Sequence, residues 1–301
     1  MSDIERTLLL LDQVFPGEAK FQTERFLTWQ YEGSPSGVVI EQNVDDEVGR
    51  LGHYAVLPQR WGREGRVEKW ALSLNTAVSE RARGRGLFSQ LASQTYDTAA
   101  QLGVTAIVGV ANANSTPGFT GRLGFDLVGP LNAAIVPWKP SRGSRSVEWI
   151  PLEALTSDPI ALTAALPAAG MGQRLWDTAE LTWRLSCPTM AFTTFRSASA
   201  LVVTCASKFR GVPVAIIVKV VVADDADMVE LGPIAAAACR FHRAPAAVYA
   251  GFNPRVITRG LELPQRFRPS PLNLIVKSLV ADEPSSRFVP VCFEFLDFDA
   301  Y

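Results

Sequence analysis

Three arginines and two glycines crowd the run Arg81-Ala82-Arg83-Gly84-Arg85-Gly86-Leu87-Phe88, and together they suit the binding of phosphate. Glycine lets the backbone turn through conformations that other residues avoid, so successive N–H groups can point at one spot. A helix that starts at such a turn adds the positive end of its dipole. A turn that only joins a strand to a helix has no need of three local cations. Other chemically capable residues are few. His53 lies on the strand-like run that precedes Val67–Val78 and could reach the same face, as a general base or as a structural or surface histidine. His242, flanked by Arg240 and Arg243, reads as an exposed histidine. Cys187, Cys205, Cys239 and Cys292 show no C-x-x-C spacing and read as buried free thiols, so no metal is called for.

These residues need elements to position them. Val67–Val78 alternates as a strand that enters the turn, and Leu87, Leu91, Thr95 and Ala99 fall at i, i+4 spacing on a helix that leaves it. Around this unit the sequence echoes itself, with Leu27-Thr28-Trp29 matching Leu181-Thr182-Trp183 and a proline following each, Pro35 and Pro188. The two tryptophans read as core anchors of two helices. Strand-like runs at Gly37–Gln42, Gly52–Leu57 and Val67–Val78 are answered by Ala191–Arg196, Leu201–Ser207 and Val212–Val222. A helix and a further strand follow in each half (Ala106–Ala111 and Ala246–Phe252), then an asparagine expected to open a short helix, Asn112 or Asn253. Further strands are expected to close each half. The fold class is therefore α/β (α+β) in two tandem modules, each a mixed, mostly antiparallel sheet flanked by helices. The boundary is placed at the polar stretch Pro137–Ser146, giving modules 1–140 and 141–301. Only the first carries the glycine turn, so one ligand per chain is expected.

The 301 residues, 48% of them hydrophobic, suffice for two cores. Lysine plus arginine total 29 against 30 acids, which excludes a strongly basic surface and argues against a nucleic-acid partner. The short run Leu8–Leu11 is neither a leader nor a membrane span, and Val212–Ala223, interrupted by Lys219, reads as a buried strand. A cytoplasmic protein that meets a small molecule is the expectation. The terminal run Phe293–Tyr301 alternates aromatics with acids like a half-buried strand. Asp297 or Asp299 in it either forms a solvated edge or reaches the cleft between the modules to bind an amine.

Val78, Arg83, Gly84 and Gly86 resemble the signature Val-x-Pro-x-x-Arg-Gly-x-Gly of the GNAT superfamily of acyl-CoA N-acyltransferases, with Glu80 in place of the proline and Phe88 at a position usually small. Asn112–Phe125, an asparagine-led helix ending in Leu123-Gly124-Phe125, is similar to the family's second landmark. The resemblance covers about residues 20–137. It implies that acetyl-CoA or another acyl-CoA is bound by Ala77, Val78, Arg83, Gly84, Arg85, Gly86, Leu87, Phe88, Asn112, Asn114 and Phe119. It also implies a small-molecule amine as acyl acceptor, a nucleotide-linked amino sugar being one such amine. Thr120 falls where the family keeps a tyrosine that protonates the thiolate, and Leu72 where some members keep a glutamate base. The positions alternating with Val78 are Thr76, Leu74, Leu72, Trp70 and Glu68, so the near ones offer no carboxylate. A non-catalytic acyl-CoA-binding or scaffold protein is the alternative.

Overall fold

The computed structural model describes residues 2–17, 23–137, 147–157, 172–223, 228–264 and 271–298. Two helices open the chain, α1 (Asp3–Val14) and α2 (Glu24–Glu32), each started by a hydroxyl cap, Ser2 or Thr23, that accepts from the first turn. Three antiparallel strands follow, β1 (Ile40–Asp45), β2 (Arg50–Arg63) and β3 (Arg66–Val78). Next come α3 (Leu87–Gln101), β4 (Val104–Ala111), α4 (Thr116–Arg122), β5 (Asp126–Pro130) and β6 (Ala133–Val136). β7 (Glu148–Ile150) and β8 (Gly172–Arg174) lead to α5 (Thr178–Leu185), capped by Asp177.

The second half repeats this order with β9 (Phe192–Arg196), β10 (Ala200–Phe209) and β11 (Val212–Val222). After β12 (Val229–Glu230) come α6 (Leu231–Phe241) and β13 (Ala246–Phe252), then β14 (Val256–Ile257), β15 (Leu261–Glu262), β16 (Asn273–Ser278) and β17 (Pro290–Glu294). The strand after each of these helices runs parallel to the third long strand of its half, β4 beside β3 and β13 beside β11. α6 has 11 residues against 15 in α3, in line with the shorter second copy.

The closing strands do not stay in their own halves. β16 lies between β4 and β5 of the first sheet, while β6 lies between β13 and β15 of the second. The expectation that each half closes its own sheet is corrected by this exchange, which ties residues on either side of position 140 into shared ladders. β8 bridges β2 and β17, so one continuous hydrogen-bonded path crosses both sheets.

A near-symmetric contact between the helices joins the halves. The rings of Trp29 and Trp183 stack at 5.0 Å, and each Nε1–H donates to the other residue's carbonyl at 3.0 Å. The repeated anchors are thus partners of each other across a pseudo-twofold axis. Trp183 is buried and Trp29 half-buried, and satisfying both N–H groups removes most of the cost of taking them out of water.

Two further expectations are corrected. Asn253 opens no helix, because its Oδ1 accepts from Arg255 N–H and the chain passes through Pro254 into β14. The terminal run is a strand only to Glu294, then a buried 3-10 turn over Phe295–Asp297. Asp299 lies outside the described residues.

Candidate active site

Gly84 and Gly86 both take left-handed backbone angles, φ +78 and +74, and a Cβ on either would meet no atom within 4 Å. Open space therefore lies beside the turn. Gly86 is the N-cap of α3, and the amides of Gly84, Gly86, Leu87 and Phe88 find no acceptor among the described residues. Four free N–H groups at the start of a four-turn helix form an anion site. The arginines are less concentrated on it than the sequence implies: Arg81 pairs with Asp46 at 2.7 Å and Arg83 with Glu80 at 2.9 Å. Arg85 has no carboxylate partner among the described residues.

Ala77 and Val78 reach the turn along β3, opposite His53 and Gly52. A Cβ on Gly52 would come 2.7 Å from Leu91 Cδ1, so any larger residue there would displace the Leu91 side chain. Phe88 meets Phe119 edge-on at 5.6 Å, and Phe119 meets Phe125 at 5.2 Å. These rings fix α3 beside α4, so the bulk of Phe88 serves packing. Asn112 is committed to its own turn, its Oδ1 accepting from the N–H groups of Asn114 and Ser115. Asn114 is exposed.

β3 and β4 pair only from Lys69/Val104 to Ser73/Gly109. Beyond Ser73 the strands part, and β3 carries a bulge where the register against β2 shifts between His53 and Ala55. Asn75 sits in the bulge with φ +50, a left-handed angle that asparagine tolerates better than most residues. The extra residue breaks the alternation expected for β3. Trp70, Leu72 and Leu74 share one core cluster, and the next member is Ala77 instead of Thr76.

Around the bulge runs a chain of polar groups, buried from Gln30 to His53 and half-buried at Asn43 and Glu41. Asn75 Nδ2 donates to Gln30 Oε1 at 2.7 Å and to Tyr31 Oη at 3.1 Å, and Tyr31 Oη lies 2.8 Å from His53 Nε2. His53 Nδ1 lies 2.7 Å from Asn43 Oδ1 and 3.5 Å from Glu41 Oε2. Burial, helped by the nearby Arg50 charge, lowers the pKa of His53 to about 3. The imidazole is therefore neutral and fully enclosed, and it acts on its neighbours and not as an exposed base. Thr120 Oγ1–H donates to Thr116 O at 3.0 Å, back into its own helix. Glu68 is held by Arg63, Trp70 Nε1 and Thr105, which together overcome its burial and lower its pKa. Tyr31, Asn75 and Asn43 carry no sequence motif. Their one signal is polarity inside apolar elements.

The second module has a bulge at the matching place in β11, between Ile217 and Lys219. There Lys219 Nζ meets Glu294 at 2.9 Å and Asp297 at 2.8 Å, and Trp176 Nε1 donates to Asp297 at 2.8 Å. Burial opposes the Lys219 charge, but Asp297, Cys292 and Glu294 outweigh it and raise its pKa. Asp297 is thus bound internally and does not reach out to an amine. Cys292, Glu294 and Asp297 are close enough to hold a metal ion, but the ammonium already occupies that role. At α6, the N-cap position is the acidic Glu230, paired with Arg259, and Pro233 lies in the first turn, so no anion site is repeated. His242 is half-buried, not exposed, with Nε2 2.8 Å from Thr204 Oγ1.

Between the modules, beside the β3 bulge, lies a cavity with room for about one water molecule. Gln30, Leu72 and Leu74 of the first half face Arg174, Arg184 and Phe298 of the second across it.

No family model and no curated protein matches the sequence. Solved structures do match. A GCN5-related N-acetyltransferase from Anabaena variabilis superposes with TM-score 0.62 at 13% identity, over 92% of this chain and 71% of that one. The fold is that of the GCN5-related N-acetyltransferases. A second such protein, from Kribbella flavida, gives TM-score 0.59 at 12% identity over 91% and 68% of the two chains. Eis1 from Mycobacterium abscessus gives 0.56 at 11% over 92% and 71%. At these identities the likeness concerns the acetyltransferase fold alone. Among the described residues no helix is long and apolar enough to cross a membrane.

Proposed function

We propose that the chain is an acyl-CoA-dependent N-acyltransferase in which module 1–140 holds the acyl-CoA, acetyl-CoA first among them, and module 141–301 supplies one wall of the acceptor site. The observation that carries this reading is the conjunction of four free amides at the start of α3 with a sheet that opens beside them. The amides of Gly84, Gly86, Leu87 and Phe88 would take the pyrophosphate, with Arg85 the uncommitted cation. The backbone of β3 past Ser73, which β4 no longer pairs, would take the amide-bearing arm of the coenzyme.

In the reaction the amine nitrogen attacks the thioester carbonyl carbon, the C–S bond breaks, and coenzyme A leaves as a thiolate. The nitrogen sheds one proton, which balances the thiolate through solvent. A thiolate is a good leaving group, so a fixed acid is not required. Positioning of the two reactants contributes much of the acceleration, up to about 7–11 kcal/mol in well-oriented systems. With no second anion site at α6, one coenzyme binds per chain.

The test is isothermal titration with acetyl-CoA, followed by a free-thiol release assay across amino sugars, nucleotide-linked amino sugars, simple monoamines, polyamines and peptides. Saturable binding with thiol release is expected. Binding without release over the whole panel would favour the second reading, a non-catalytic acyl-CoA-binding protein. The self-bonded Thr120 hydroxyl and the enclosed His53 are the observations in its favour.

A further inference from the structure

The arginines of the glycine turn are not engaged alike. Arg81 grips Asp46 with both terminal nitrogens, at 2.7 and 3.3 Å, and Asp46 is itself fixed by the N–H groups of Val48 and Gly49, each at 2.9 Å. That pair belongs to the frame, since it ties the connection between β1 and β2 to the turn. Arg83 and Glu80 are different. They meet at 2.9 Å with their side chains 63% and 81% exposed, and among the described residues neither charged group has another partner. The backbone beneath them is already set. Arg83 N–H donates to Glu80 O at 3.3 Å, Ala82 between them is buried, and Arg83 leads directly into Gly84. The pair therefore stands in solvent beside the four free amides and is held by its own attraction alone.

We propose that Glu80 is a built-in competitor of the coenzyme's pyrophosphate: its carboxylate holds Arg83 in the unliganded chain, and an acyl-CoA displaces it to recruit that cation. The inference rests on the acyltransferase reading and names a residue that sets the strength of coenzyme binding. The direction of the exchange follows from what each anion receives. An exposed ion pair shifts an equilibrium by no more than about fivefold. A pyrophosphate at the turn gains Arg83 together with Arg85 and the amides of Gly84, Gly86, Leu87 and Phe88, so it wins Arg83 from Glu80.

The released carboxylate still lowers affinity. It stays tethered three positions from Arg83 and repels the phosphates that have replaced it. Arg81, Arg83 and Arg85 face Asp46 and Glu80, so the turn carries a net of one positive charge, and removing Glu80 makes it two. As coenzyme A leaves after transfer, the same carboxylate recaptures Arg83 and favours release of the product. Salt gives this arrangement a signature. Screening weakens the phosphate contact and the internal pair together, so their effects at Arg83 offset one another in the parent. Without Glu80 only the phosphate contact is screened, and binding depends more steeply on salt.

The experiment titrates the full chain with acetyl-CoA by calorimetry at about 50 and 300 mM NaCl, on either side of physiological screening. The parent is compared with Glu80→Gln, Arg83→Gln and the double variant, with Glu80→Ala as a second way of removing the charge. All of these side chains are exposed, and circular dichroism checks that each variant is folded. At low salt Glu80→Gln and Glu80→Ala should bind acetyl-CoA about 3- to 10-fold more tightly than the parent, and the gain should shrink at high salt. Arg83→Gln should bind less tightly than the parent, and in its background the loss of Glu80 should gain clearly less. Unchanged or weaker binding in both Glu80 variants, or an equal gain with and without Arg83, overturns the proposal. Failure of the parent chain to bind acetyl-CoA instead overturns the acyltransferase reading. Inorganic pyrophosphate then serves as the probe for the same comparison, and no binding of pyrophosphate overturns the role of Glu80 as well.

Discussion

His53 gives the sharpest quantitative test, because the fold encloses its ring in the neutral form. The unfolded chain protonates its imidazole with the ordinary value of 6.5, and the folded chain with a value of about 3. Between these values the unfolded state binds the extra proton, so stability rises with pH across that window and is lost as pH falls. The sign is that of a group buried in its neutral form. At about 1.4 kcal/mol per pH unit, lowering the pH from 7 to 5 costs about 2 kcal/mol through His53 alone. The perturbation is His53→Gln, which stays neutral throughout and can still bond to Tyr31. Urea denaturation of both proteins at pH 7, 6 and 5 gives the difference directly, whatever the other groups do. The parent should lose about 2 kcal/mol more than the variant over that range. NMR supplies a second readout, since the chain has only two histidines. The His53 ring signals should stay fixed from pH 8 to pH 5, while those of His242, lowered by partial burial, should titrate below the ordinary histidine value and above His53. Parallel stability profiles, or a His53 titration near 6.5, would refute the neutral, enclosed ring.

Gly86→Val places a branched side chain at φ +74 in the mouth of the turn. Acetyl-CoA affinity measured by calorimetry should fall below detection, while circular dichroism shows the chain still folded. Thr120→Val should retain turnover within about twofold in the thiol release assay, because that hydroxyl already serves Thr116. Lys219→Ala leaves Glu294 and Asp297 buried without a counter-ion. It should cost about 3–5 kcal/mol in chemical denaturation, and added Zn²⁺ should raise the melting temperature of the variant and not of the parent, through Cys292, Glu294 and Asp297. Trp29→Ala and Trp183→Ala should each cost about 3–5 kcal/mol. The double variant should cost clearly less than their sum, since each removes the same stacked, doubly hydrogen-bonded pair.

What the sequence disclosed and what it hid divide along the range of the interactions. The glycine turn, the helix after it and the Leu-Gly-Phe ending of α4 are local, and each follows from a backbone angle or a period that neighbouring residues impose. Gly124, for example, takes φ +68 one residue after the cap of α4, where glycine alone is at ease. The strand exchange is not local. Ala133-Ala-Ile-Val136 and Asn273-Leu-Ile-Val-Lys-Ser278 would suit either sheet, and only the packing of the two modules decides which strand enters which. The bulge is the most consequential case. One extra residue at Asn75 reverses the facing of everything after it, so a strict alternation counted back from Val78 assigns Thr76 to the face that Ala77 occupies. Leu74, Leu72 and Trp70 therefore do not share the face of Val78. The polar groups at this site come from α2, β1 and β2 and converge on the bulge itself. Asparagine in the middle of an apolar strand, which is poor as a strand former and good as a left-handed residue, was the one local sign of it. The same reasoning separates the two bulges. Both third strands bulge, but in β11 the chain's own Lys219 and the carboxylates of its last segment satisfy one another. In β3 the bulge instead leaves Asn75 Oδ1 without a donor among the described residues.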